Sequence, residues 1–86
     1  MDEADDDLAL WILVLRQRLA RGDLAGLAPL DIGNGARAPG ELVIQVMLAD
    51  LDRLDALLME APDGGALIER RRRLLDDFRR LRELIG

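Results

Sequence analysis

Two leucine-rich segments flanking the heptapeptide MEAPDGG (59–65) constrain this chain more than any other feature. On one side, Ile44, Met47, Leu48, Leu51, Leu54 and Leu58 fall on one stripe at 100° per residue. The spacing 44–47–51–54–58–61 follows the a/d alternation of a coiled-coil seam for nearly three heptads. On the other side, Leu67, Leu74, Leu75, Phe78, Leu81 and Ile85 form a matching stripe. Pro62, Gly64 and Gly65 break the chain between them, and Asp63 is placed to cap the second segment. The pattern predicts helices over 41–61 and 65–85, packed as an antiparallel, coiled-coil-like αα-hairpin spanning 41–86. Charge agrees: residues 41–63 carry six acids and one arginine, whereas 66–86 carry seven arginines and four acids. Asp55 and Arg71 interrupt the two stripes and lie equally far from residue 63, so the hairpin register predicts an ion pair between them.

Upstream, the acids at the start of the chain and Arg18 and Arg21 further on suit the two ends of a helix dipole. A helix over 6–21, stopped by Gly22, is expected. Residues 22–40 hold five glycines and two prolines and are expected to form a loop. No stretch shows the alternating β-branched pattern of a strand. Leu24, Leu27, Leu30 and Ile32 imply that part of this loop packs down, with a helical turn near 23–28. The expected architecture is therefore all-α: one domain over 1–86, a small helical bundle in which one helix and a Gly-rich loop precede the hairpin.

The residue inventory excludes much chemistry. The chain contains no Ser, Thr, Cys, His, Tyr or Lys. Carboxylates alone remain as side-chain nucleophiles and general acids or bases. The ordinary zinc, haem and iron–sulfur ligand sets are absent, as is any disulfide. No cofactor, metal site or catalytic residue is expected, and the chain is read as a binding protein rather than an enzyme. Arginine without lysine points to a GC-rich bacterial genome. The acidic start and the short apolar run 8–15 fit neither a signal peptide nor a ~20-residue membrane span, so a cytoplasmic protein without a membrane role is expected.

The first helix carries more apolar surface than one core can absorb. Leu8, Trp11, Ile12, Leu15 and Leu19 make one stripe, yet Leu10, Leu13 and Val14 cover the opposite side. The second helix repeats this with Leu42, Val46 and Leu57 on its back. Three helices cannot enclose both faces of two of their number, so this surplus points to a protein partner. The simplest partner is a second copy in a two-fold dimer. Leu10, Trp11, Leu13, Val14, Leu42, Val46 and Leu57 are the expected interface, with Trp11 its expected hot spot. An adaptor, assembly or chaperone-like accessory role follows.

Other constellations compete less well. Arg70, Arg72, Arg73, Arg79 and Arg80 could contact an anion or nucleic acid, as in a small dimeric transcriptional regulator or antitoxin. Against this, acids interleave with them at i,i+4 (Glu69–Arg73, Arg72–Asp76, Arg73–Asp77, Asp76–Arg80, Arg79–Glu83), which dresses a solvated helix face. Gly33-Asn34-Gly35 lacks the strand, Lys and Ser/Thr of a phosphate loop and is read as a turn. Electrostatic catalysis in an arginine-lined pocket, as in chorismate mutases, is the one enzyme reading the inventory leaves open. The Gly-rich interruption and the lack of lysine depart from that family.

Overall fold

The computed structural model describes residues 3–33 and 35–85. Its elements run α1 (Glu3–Ala20), β1 (Leu30–Gly33), β2 (Ala36–Ala38), α2 (Gly40–Glu60) and α3 (Gly65–Ile85). The protein is a small all-α fold in which α2 and α3 pack as an antiparallel pair. The chain divides into two compact units, residues 1–46 and 47–86.

In the first unit, α1 ends where the sequence places its stop. Gly22 takes φ +76°, Gly22 N–H donates to the Leu19 carbonyl at 3.1 Å, and Asp23 N–H donates to the Arg18 carbonyl at 3.0 Å. This is the Schellman pattern, whose left-handed residue suits glycine because a Cβ is penalised there. Two i→i−3 bonds follow, Ala25 to Gly22 and Leu27 to Leu24, so the segment after α1 is a run of turns. Leu24 is buried, whereas Leu27 and Leu30 are only half-buried.

The segment expected to be a strand-free loop instead contains a two-stranded antiparallel sheet. Leu30 pairs with Ala38, Asp31 with Arg37, and Gly33 with Ala36. Ile32 is the extra residue where the register shifts, as in a β-bulge. The pairing of Gly33 with Ala36 leaves a two-residue connection, Asn34-Gly35, with Gly35 at φ +76°. Asn34, which falls within the expected turn, lies outside the described residues. Asn-Gly between alternating residues is a strong hairpin signal, because two-residue loops that match strand twist need positive φ. The strands were illegible to a β-branched criterion because Ile32 is the single β-branched residue in them; the turn carries the signal instead.

Helix α2 starts one residue earlier than the sequence indicates, with Val43 N–H bonded to the Pro39 carbonyl at 3.1 Å. Its first residue, Gly40, is buried against the preceding segment. A methyl group at Gly40 would stand 2.6 Å from Leu27 Cδ2 and 2.8 Å from the Ala28 carbonyl oxygen. Close packing of the helix start therefore requires glycine at this position. Leu8, Ile12, Leu15 and Ile44 are buried in this unit together with Leu24.

In the second unit, Leu48, Leu51 and Leu54 of α2 and Phe78 and Leu81 of α3 are buried. The residue that opens α3 differs from expectation. The Gly64 carbonyl accepts the first helical bond from Ile68 N–H at 3.0 Å, so Gly64 occupies the cap position. Asp63 lies one residue too early, and its carboxylate holds no hydrogen bond among the described residues.

Gly40→Ala tests the packing of the α2 start. Helix propensity alone would favour alanine by about 0.5–1 kcal/mol. The approach to a backbone carbonyl cannot relax by a side-chain rotation, and overpacking typically costs about 1–3 kcal/mol. A net fall in the urea midpoint is expected; a midpoint equal to or above that of the parent would show that the 27–28 segment yields freely.

Candidate protein-interaction surface

Helix α1 divides its hydrophobic residues between two opposite sides. Leu8, Ile12 and Leu15 recur at helical spacing and are buried. Leu10, Leu13 and Val14, rotated away from that stripe, are exposed by 62%, 52% and 43%. Trp11 sits between the two sets and is half-buried. In α2, Leu42 and Val46, one helical turn apart, are 50% and 54% exposed, while Ile44 between them is buried. Leu57, further along α2, is exposed less, at 38%. Six of the seven apolar residues singled out in the sequence thus present a large fraction of their surface. Each unit is described by itself, so the exposed set comprises a stripe on α1, a pair on the first turns of α2, and Leu57 in the second unit.

Three exposed apolar residues escaped the sequence reading: Met59, Ile68 and Leu84. Met59 and Ile68 lie within four residues of either side of the turn between α2 and α3, where the helix pair ends and covers less surface. Their angular position off the two stripes was the available signal.

The α2–α3 pair carries the charged constellation. Arg71 Nε donates to Asp55 Oδ1 at 2.6 Å across the hairpin. The two side chains keep 39% and 48% of their surface, so water screens the pair. A desolvated bridge would be far more costly to break than this one. On α3, Arg72 bonds Glu69 at 2.9 Å, Arg73 lies 3.6 Å from the same carboxylate, Arg79 pairs with Asp76, and Arg80 lies 3.9 Å from Asp77. Arg72, Arg79 and Arg80 each meet an acid three residues earlier, where the expected pairs were Arg72–Asp76, Arg79–Glu83 and Asp76–Arg80. Arg73 keeps the expected i,i+4 spacing to Glu69. This accords with the N-terminal lean of helical side chains. Arg70 is exposed and holds no ion pair among the described residues. Arg72, Arg73, Arg79 and Arg80 are thus engaged by acids of the same helix, although its seven arginines outnumber its four acids.

A recess of about 240 Å³ opens between α2 and α3. Leu54, Leu57 and Leu74 line it alongside Arg53, Arg70 and Arg73, with Asp50 and Asp77 also contributing. Among the described residues, no group of three or more His, Cys, Asp or Glu side chains could hold a metal ion. None of the described helices is long and apolar enough to cross a membrane. No known family, curated protein or solved structure matches the chain.

The screened geometry of Asp55–Arg71 sets its magnitude. A double-mutant cycle on Asp55→Ala and Arg71→Ala should give a coupling of about 0.2–1 kcal/mol that shrinks as salt is raised. A coupling several-fold larger and insensitive to salt would mean that the pair is shielded from solvent.

Proposed function

We propose that this protein is a self-associating helical interaction module that forms a homodimer through the outward apolar residues of α1 and α2. Its role is that of an adaptor or assembly subunit, acting by binding rather than by catalysis. The exposed stripe Leu10, Leu13 and Val14 carries this reading, because it lies on a helix whose opposite side is already buried. An apolar helix face left in water costs free energy that association recovers. Leu42 and Val46 in the same unit and Leu57 in the second unit are further exposed apolar residues, and half-buried Trp11 stands at the border of the α1 stripe.

Magnitudes place the dimer in the moderate range. Fully burying a leucine or valine side chain is worth about 1.5–3 kcal/mol, and these residues are roughly half covered already. Twelve such residues in two copies contribute on the order of 10 kcal/mol. Lost rigid-body freedom and side-chain ordering consume much of that gain. The remaining surplus is small, so the dimer is expected to dissociate on dilution.

The solution mass, measured by light scattering on a sizing column over a hundredfold dilution, tests the proposal. A dimer that dissociates toward the dilute end is expected. Leu10→Glu combined with Leu13→Glu should leave a folded monomer, with its helical circular dichroism retained because neither residue is buried. A parent chain that is a well-folded monomer throughout would refute self-association.

A further inference from the structure

We propose that the recess between α2 and α3 receives the outward stripe of α1 from a second copy, a contact that rests on the self-association reading and names its acceptor. The size of the recess favours side chains projecting from a helix over a whole small molecule. Its volume of about 240 Å³ falls below the ~300–1,000 Å³ of typical ligand pockets. Its chemistry is mixed: three leucines, three arginines and, toward one end, the two acids Asp50 and Asp77. Leu57 is partly exposed and Leu74 half-buried along its lining. Arg53 from α2 and Arg70 from α3 hold no ion pair among the described residues, and Arg73 lies 3.6 Å from the Glu69 carboxylate.

The stripe on α1 has the complementary composition. Asp7 is exposed and holds no ion pair among the described residues. Leu10, Leu13 and Val14 follow it on the same side of the helix. Further acids, Glu3, Asp5 and Asp6, precede it in sequence. At 1.5 Å per residue, Asp7 to Val14 covers about 10 Å, the same length as Arg70 to Asp77 on α3.

Charge then selects one direction. With α1 parallel to the partner's α3, Asp7 approaches the guanidinium groups, while Leu10 and Leu13 cover Leu57 and Leu74. Arg18, one turn beyond Val14, follows toward the end of the recess that holds Asp50 and Asp77. The reverse direction would set Asp7 against Asp77, a repulsive pairing. Each copy supplies one stripe and one recess, so a copy that offers its stripe also carries a recess able to accept one.

Mixing distinguishes this contact from stripe-on-stripe association. Leu10→Glu/Leu13→Glu disables the stripe and leaves the recess; Arg53→Glu/Arg70→Glu disables the recess and leaves the stripe. All four residues are exposed, and circular dichroism verifies folding of each variant. Each variant alone should self-associate at least about tenfold more weakly than the parent, and the equimolar mixture should form a 1:1 heterodimer through the one intact contact. The parent dimer should also weaken between about 50 mM and 500 mM salt, since its exposed ion pairs are screened. A recess variant that dimerises as tightly as the parent would overturn the contact while leaving self-association standing. Two weakened variants that fail to combine would also overturn it, because the stripe would then have to meet a second stripe. A monomeric parent would remove the self-association reading itself, and this contact with it.

Discussion

The pairing of the α2 and α3 leucine stripes is the constraint on which the second unit depends. Neither helix can bury its apolar side alone, and the break at Pro62–Gly64 returns the chain before a third turn of irregular structure is needed. Once Leu48, Leu51 and Leu54 are buried on α2, and Phe78 and Leu81 on α3, the register of the two helices is set. The charged contact across the hairpin follows from that register. Asp55 meets Arg71 because each lies eight residues from the turn centre. Arg53, Arg70 and Arg73 line one recess because their helical phases place them on the same side of the seam. The ion pair reports the register more than it stabilises it, since water reaches both partners.

The first unit works under the opposite condition, a surplus of apolar surface. Its buried set is small: Leu8, Ile12 and Leu15 from α1, Leu24 from the turns, and Ile44 from α2. In the β-hairpin over 30–38, Leu30 and Ala38 are half-buried. Leu10, Leu13 and Val14 remain exposed in the single chain. An apolar stripe on one unit and a mixed apolar and cationic recess on the other give the protein two unlike surfaces, and unlike surfaces can pair between copies without a shared self-complementary patch.

The three helices were legible because their signals are local and periodic. Hydrophobic spacing located α2 and α3, and Gly22 and Pro62 located ends. The same local logic exposed the Asp55–Arg71 register, since a short turn leaves few ways to align two helices. Asp63 was assigned the cap that Gly64 takes, because a one-residue offset depends on the backbone path through the turn and not on which side chain could serve. The hairpin 30–38 was missed for a different reason. Its strands are three and four residues long with Ile32 their one β-branched residue, and Asn34-Gly35 is the signal that announces the reversal.

What the amino-acid sequence determines by itself is the set of helices, their antiparallel pairing and the existence of more apolar surface than three helices can hide. Those properties follow from composition and period along the chain, which are present before any tertiary contact forms. Which apolar residues stay outside was decided by the tertiary structure. Exposure is a property of neighbours distant in sequence, so Leu10 and Leu8 differ in burial although both are leucines on one helix. The crowding that keeps Gly40 a glycine and the recess that gathers three arginines are decided at the same level. Both arise where separate segments approach, and no run of consecutive residues encodes such an approach.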